Sequence, residues 1–465
     1  MNKVINRMIF VFGMMTSIIL SGPLIVVSVY GSNTSSSANA KWTVMIYYAF
    51  DNHRKKEIDR NLEILSGVGS GDGFNLTILV DGTQKDDTKR YKITENELYV
   101  IPWGETESNT GDPKTLEEFL KLSMAENPAE NYGFFILSDC GSGWQGISHD
   151  QSSDSLISIP DFANVFKEIT NNGENKVDFV GLDMCITGMV EVAYQISPYV
   201  NYMVATEEHG LDVSDKGPEH VWQYKTFLEN LKENPEISPE EFAKNVVDSY
   251  KPTTLPLTLF YARASSGKNT LLSRFFVNFM TPIWNTFTPS ILHTPTIKST
   301  LSALNLSRIQ DVKDACNQLA QILLSKNDLK TKIAVHNARE KVRTYGNAYP
   351  KNSMFMLIYM NWPTKLRAFD SYIDLYDFAE HLEEAIQDEN IKNSCKEVMS
   401  SVNNVVLAKK AVQDDPSHGL SIYFPKNKKL YNKYLWGKKM PSPYEDLRFS
   451  KDTMWDEFIR TYLKV

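Results

Sequence analysis

The sequence predicts an α/β fold with a mostly parallel central sheet, helices on both faces, and a helix-rich C-terminal extension. Three observations predict it. Nearly all-apolar runs, "YGFFILS" and "VDFVGL", read as parallel strands buried on both faces. Helical patterns separate these runs at the spacing of right-handed crossovers. Beyond residue 265 the periodicity turns mainly helical, with Pro252, Pro256, Pro282, Pro289 and Pro295 as punctuation around that boundary.

In order along the chain, "WTVMIYYAF" (Trp42 to Phe50) is a β-branched and aromatic strand. Lys55 to Leu65 reads as a helix with Ile58, Leu62 and Leu65 on one face. The turn "GSGDG" precedes the strand "FNLTILVD"; it lacks the Lys-Ser/Thr of a phosphate loop. "RYKIT" and "ELYVI" form a polar hairpin, and Asp112-Pro113 starts a helix from Lys114 to Met124. After "YGFFILS" come a helix over Ile159 to Ile169, "VDFVGL", a helix from Gly188 to Ile196, and the strand "YMVATEE". The second half carries helical patterns over Pro239 to Tyr250, Leu272 to Trp284, Ile309 to Leu324 and Tyr372 to Ile386. Short strands "LTLFYA", "MFMLIYM" and "GLSIYFP" interrupt them.

The N-terminus stands apart. Lys3 and Arg7 precede an apolar run from Met8 to Tyr30, and Ala38-Asn39-Ala40 ends the polar stretch that follows. Residues 1–40 therefore read as an export signal. The apolar run is also long enough to span a bilayer, so an uncleaved anchor is the alternative and the only route to a membrane. The chain of 465 residues is 42% hydrophobic and carries a net charge of −8 with no basic stripe, which argues against a nucleic-acid surface. Four cysteines are too few to build a disulfide scaffold at this length.

In an open parallel sheet the ligand site lies beyond the carboxyl ends of the strands. Cys140, Asp183, Cys185, Glu207 and Glu208 all fall at such ends. The ordered series "KWTVMIYYAFDN", "GDPKTLEEFL", "DCGSGW", "GLDMCITGMVEVAYQI", "YIDLYDFAEHL", "HGLSIYFP" and "TMWDEFIRTY" resembles clostripain-like cysteine peptidases, relatives of the caspases, gingipains and legumain. The resemblance runs from Lys41 to Leu463. It implies a caspase-like sandwich over residues 41–265 and a clostripain-type extension over 266–465 packed on that core. It also implies peptide or protein substrates with basic residues. Position by position it makes Cys185 the nucleophile, Asp183 the acid of an Arg/Lys pocket, and the N–H groups of Gly141 and Cys185 the oxyanion donors. Glu207, Glu208 and Asp212 either add to this substrate pocket for a basic side chain or bind calcium, which many members of this group need; Asp150 and Asp154, with Ser152 and Ser153 between, are the other candidate calcium ligands.

One position departs from the pattern: the family has Asp-His-Gly where this chain reads Asp139-Cys140-Gly141. An unperturbed thiol has a pKa of about 8.5 and needs an imidazolium to become thiolate near neutrality. The imidazole also protonates the departing amine, which a thiol does poorly. His209 and His149 are the candidate substitute bases, His209 first because its strand should adjoin that of Cys185; His220 lies further along the same loop. The loop from Gly141 to Phe166 holds no Lys or Arg, so a basic self-processing site is missing as well. Three readings of Cys140 stay open: a degraded dyad, a disulfide to Cys185, which requires Cα atoms about 4.4–6.8 Å apart, and an inert thiol. Asp183 is either the pocket acid or a cap for the following helix. Cys316 and Cys395 read as free core cysteines, with a mutual bond as the alternative. The natural substrate and oligomeric state are not written in the sequence.

Overall fold

Alternation along β1 (Ala40–Ala49) assigns its side chains to two separate cores. Met45, Tyr47 and Ala49 enter one, while Trp42, Val44, Ile46 and Tyr48 enter the other. The structure is a computed structural model that describes residues 40–52, 57–94, 97–138, 143–210, 221–256, 296–326, 328–346, 371–432 and 442–464. The export segment lies outside the described residues. So do the boundary at 265, the strands expected over 257–262 and 354–360, and the helix over 272–284.

After β1 come α1 (Ile58–Val68), β2 (Phe74–Asp81), the hairpin of β3 (Lys89–Thr94) and β4 (Glu97–Ile101), α2 (Pro113–Glu126) and β5 (Ala129–Ser138). A small hairpin, β6 (Ile147–Asp150) and β7 (Ser155–Ile157), leads to α3 (Ile159–Ile169), β8 (Val177–Asp183), α4 (Val190–Ile196) and β9 (Val200–Ala205). α5 (Tyr224–Glu233), α6 (Pro239–Ser249), β10 (Thr254–Pro256) and β11 (Thr296–Lys298) follow, then β12 (Thr300–Asn305), α7 (Ile309–Ser325), α8 (Leu329–Lys341) and β13 (Thr344–Tyr345). β14 (Tyr372–Asp374), α9 (Leu375–Ala385), α10 (Glu389–Val405), β15 (Val406–Ala411), β16 (Ser421–Tyr423), α11 (Arg448–Lys451) and α12 (Trp455–Leu463) complete the fold.

The main sheet has nine strands in the order β15-β12-β9-β8-β5-β1-β2-β3-β4. The inner run from β9 to β2 is parallel throughout. Antiparallel strands extend it on both sides. α1, α5 and α6 cover one face; α2, α3, α4, α7, α8, α9, α10 and α12 supply the core on the other. The expected mixed α/β fold with a mostly parallel sheet is therefore present.

Some elements differ from expectation. Tyr372 to Asp374 form β14 rather than the start of a helix: the Asp374 carboxylate accepts the Asp377 N–H at 2.8 Å, so the helix begins only at Leu375. β9 stops at Ala205, and the residues after it bond instead to the turn after β8. The second half also adds β12 and β15 to the sheet, where the sequence pattern had marked mainly helices.

Phe135 on β5 stands at the centre of one core. Its ring centroid lies 4.9 Å from Phe179, 5.4 Å from Phe227 and 5.6 Å from Tyr224. Gly181 on β8 leaves room for it, since a Cβ there would collide with the ring. Phe135→Ala should cost about 3–5 kcal/mol in urea unfolding, the range for emptying a well-packed aromatic site.

Candidate active site

The chain leaves β8 through Asp183, Met184 and Cys185 and then turns sharply. Ile186 carries the turn at φ 57°, a left-handed backbone that a β-branched residue rarely adopts. Two backbone hydrogen bonds hold it: Ile186 N donates to Glu208 O at 2.9 Å, and Gly188 N donates to Thr206 O at 2.7 Å. The approach is close enough that a Cβ on Gly188 would lie 2.9 Å from the Thr206 carbonyl carbon. Glycine is required there by contact rather than by φ. α4 starts two residues later.

A second wall comes from the segment after β5. Leu137 pairs with Asp183 across the sheet, so β5 and β8 end nearly level. Gly143, at φ 59°, presses its backbone against the turn; a Cβ on it would stand 2.8 Å from Met189 Sδ and 3.2 Å from Ile186 O. Trp144 is buried, with its ring 5.2 Å from both Tyr423 and Tyr444. Cys140 and Gly141 fall between these two anchors and lie outside the described residues, as do Asp212 and His220. The expected opposition of Cys140 and Cys185, and the disulfide between them, therefore lie outside the described residues too.

The other candidates have definite places. Cys185 is 9% exposed at the end of β8. Asp183 is buried, and its Oδ2 accepts the Tyr224 hydroxyl at 3.1 Å. Its charge also contributes, after burial, to raising the Tyr250 phenol. His209 is buried beside this turn. On one side of it Glu208 O takes the Ile186 N–H; on the other, a Cβ on Gly210 would lie 3.4 Å from the Met184 carbonyl carbon and 3.5 Å from Cys185 N. The backbone thus brings His209 alongside Cys185, as the strand order suggested. His149 sits on β6, half-buried, with Nε2 enclosed.

Glu207 and Glu208 engage the second half of the chain. Glu207 Oε2 accepts the Gly419 N–H at 3.1 Å, and burial, then the Asp374 charge, hold its pKa well above the usual carboxylate range. Glu208 Oε1 accepts the N–H groups of Gly346 and His209 at 2.8 and 3.0 Å, while its Oε2 lies 3.2 Å from Arg343 Nη2. Sequence reading missed a polar group beside them. His418 Nδ1 lies 3.1 Å from Asp374 Oδ1, the Tyr345 hydroxyl donates to Asp374 Oδ2 at 2.9 Å, and the His418 ring stacks on Tyr376 at 4.0 Å. The "HGLSIYFP" motif contains the signal, but the helical pattern over Tyr372 to Ile386 puts Asp374 inside a helix. Cys316 on α7 and Cys395 on α10 are free buried thiols, as expected; burial pushes both up, Cys395 to about 12, which makes them inert.

One buried acid ties α4 to the rest of the site. Glu191 Oε1 accepts the Tyr423 N–H and the Tyr444 hydroxyl, each at 2.9 Å. Tyr444 in turn packs against Trp144. Burial pushes Glu191 up to about 7 against the pull of those hydrogen bonds.

The sequence profile described as the clostripain family matches residues 46–257 and 260–462. No curated protein matches the chain in sequence. Among solved structures, an inactive zymogen C11 protease from Parabacteroides distasonis superposes with a TM-score of 0.56 at 18% identity, covering 90% of this chain and 99% of that one. A secreted C11 cysteine protease from Bacteroides thetaiotaomicron, solved with an irreversible peptide inhibitor, superposes with a TM-score of 0.56 at 16% identity, covering 90% and 100%. At these identities the likeness concerns the fold.

Glu191 generates a pH prediction. Its native pKa of about 7 exceeds the ordinary 4.5, so the native state keeps a proton that the unfolded chain loses. The group's contribution to stability is whole below pH 4.5 and is lost as pH rises to about 7. Glu191→Gln should flatten the fall in stability over that window by up to about 1.4 kcal/mol per pH unit, read from urea midpoints.

Proposed function

The chain belongs to the clostripain family, and we propose that it is an exported cysteine peptidase homologue directed at Arg or Lys side chains, with Cys185 as nucleophile and the family's imidazole replaced by Cys140. The observation that carries this reading is the turn at Cys185: a nucleophile-bearing strand end, backbone strain at Ile186, and a locked neighbouring segment. Strain of this kind, of order 1–3 kcal/mol, persists where surrounding structure fixes a functional side chain.

In this reading Asp183 meets the basic side chain of the substrate, held in place by the Tyr224 hydroxyl. The N–H groups of Gly141 and Cys185 receive the oxyanion, the largest single term in such catalysis. His209 takes over as base, supported by its place beside the Cys185 backbone; His149, on the neighbouring hairpin, is second. A thiol at position 140 supplies neither a proton acceptor of matched pKa nor a good acid for the leaving amine. Hydrolysis is therefore slow. Export is supported by the charged, apolar and Ala-Asn-Ala segments of residues 1–40. Among the described residues no helix is long and apolar enough to cross a membrane.

The second reading is a pseudopeptidase that binds basic peptides through Asp183 without cutting them. The loss of both the histidine at 140 and any basic residue from Gly141 to Phe166 favours it. Rates on an Arg- or Lys-ended reporter peptide separate the two. The enzyme reading expects slow wild-type turnover abolished by Cys185→Ala, reduced at least about tenfold by His209→Ala, and raised by Cys140→His toward the ~10²–10⁴-fold range of a positioned acid/base group. Wild-type inactivity with activity in Cys140→His alone establishes the pseudopeptidase. Wild-type activity that survives Cys185→Ala defeats both readings.

A further inference from the structure

α8 presents two large aliphatic side chains to solvent. Leu329 is 73% exposed and Ile333 is 50% exposed, and they lie one turn apart. The residues that α8 buries, Thr331, Ala334, Val335 and Ala338, occupy the opposite side of the helix. Lys330 and Lys332 flank the exposed pair, one on each side. Among the described residues only Tyr99, Val100 and Met454 are other exposed large hydrophobic residues, and none of them is on α8. An outward aliphatic pair on one helix therefore calls for a partner surface.

The neighbouring surface is cationic. Lys332 lines an open cavity of ≈ 360 Å³ together with Lys426, Lys428, Lys464 and Tyr462. These residues come from α8, from the turn after β16 and from the end of α12, which is why no basic stripe runs along the sequence. The three segments share a firm frame. Arg339 on α8 donates from Nε to Phe424 O at 2.9 Å, the Tyr423 hydroxyl donates to Leu430 O at 3.2 Å, and the Tyr462 ring lies 5.3 Å from that of Phe424. α8 and its cap bring two acids, both engaged: Asp328 Oδ1 accepts the Thr331 N–H at 2.9 Å, and Glu340 pairs with Lys426 at 2.7 Å. Among the described residues Lys330, Lys332, Lys428 and Lys464 have no acidic partner. On a chain of net charge −8 they create a local field of the opposite sign. An apolar cleft lined by Leu324, Val335 and Phe458 opens beside the cavity and shares Lys332 and Tyr462 with it.

We propose that this face docks onto a bilayer carrying anionic lipid. Leu329 and Ile333 enter the boundary between head groups and acyl chains, and Lys330, Lys332, Lys428 and Lys464 meet the lipid phosphates. Lysine suits this place because its stem covers apolar surface while its ammonium stays among the head groups. Cationic residues around an exposed apolar ridge are what hold an interfacial helix in the plane of a membrane. Charge alone fits any polyanion, but only a bilayer also buries the aliphatic pair. The sequence offered an uncleaved leader as its one route to a membrane; this face is a second route, and it remains when residues 1–40 are removed. The proposal stands apart from the peptidase reading, because none of these residues is assigned to the chemistry of Cys185.

Asn39–Val465 form a compact unit of their own, so the chain is tested without its leader, whose apolar run would bind lipid by itself. Co-sedimentation uses sucrose-loaded vesicles of phosphatidylcholine, alone or with about 30% phosphatidylglycerol. The expected result is pelleting with the anionic vesicles, none with the neutral ones, and release as salt rises. Lys330→Glu, Lys428→Glu and Lys464→Glu combined should weaken the partition at least about tenfold. Leu329→Ser with Ile333→Ser should weaken it at least about tenfold as well. All five positions are exposed, so both variants should melt within about 2 °C of the wild type, which shows that they are folded. No pelleting with anionic vesicles at millimolar lipid, equal pelleting with neutral ones, or wild-type binding by the glutamate variant overturns the proposal. Undiminished binding by the serine variant overturns it too, and makes the face a site for soluble polyanions instead.

Discussion

Two backbone hydrogen bonds beyond the end of the parallel sheet, from Ile186 to Glu208 and from Gly188 to Thr206, set the geometry on which the candidate site depends. They prolong the β8–β9 pairing after both strands have formally ended. Because backbone groups buried at this depth must find partners, the strained turn at Ile186 has nowhere else to go. The backbone of Cys185 is thereby fixed by its neighbours on both sides. Ser421 completes the arrangement, since its N–H and its hydroxyl both donate to Gly188 O at 2.9 Å.

The sequence displayed the inner sheet plainly. The runs "YGFFILS" and "VDFVGL" are nearly all apolar, and burial on both faces is what the structure gives them. The edges were far less legible. Thr300–Asn305 joins the sheet with two serine or threonine side chains buried, and Val406–Ala411 carries Lys409 and Lys410 on an edge strand. Neither has the hydrophobic alternation that announces a strand, because one sits between partners and the other borders water. α8 is hard to read because polar residues dominate its sequence and no apolar stripe stands out, so tertiary packing holds it; α10 does carry a stripe, Ile391, Cys395, Val398, Val402 and Val405, diluted by the serines and asparagines between.

The candidate site shows the same division. Residues delivered by strand ends, Asp183, Cys185 and His209, could be placed from order alone. The roles of Glu207 and Glu208 could not, because their partners Gly346, Arg343 and Gly419 lie more than a hundred residues away in sequence. Asp51 and Asp81 were visible as acids closing apolar strands, yet one carboxylate oxygen of each lies within 4.8 Å of one on Asp150, a gathering that depends on how a short hairpin folds back. No local pattern encodes that return.

The far end of the chain has a further bearing on how the molecule comes into being. Gly419 caps Glu207, Ser421 grips Gly188, and Tyr423 holds Glu191, so the thiol-bearing bend is finished by residues that leave the ribosome 212, 233 and 232 positions after their partners. β9 likewise waits for β12, its outer neighbour, which follows it in the chain only after α5, α6, β10 and β11. Long-range closures of this kind form late because they pay the entropy of a large loop first. Maturation of the bend is thus timed by the synthesis of that distant segment, and a copy terminated before it is born without a settled cysteine.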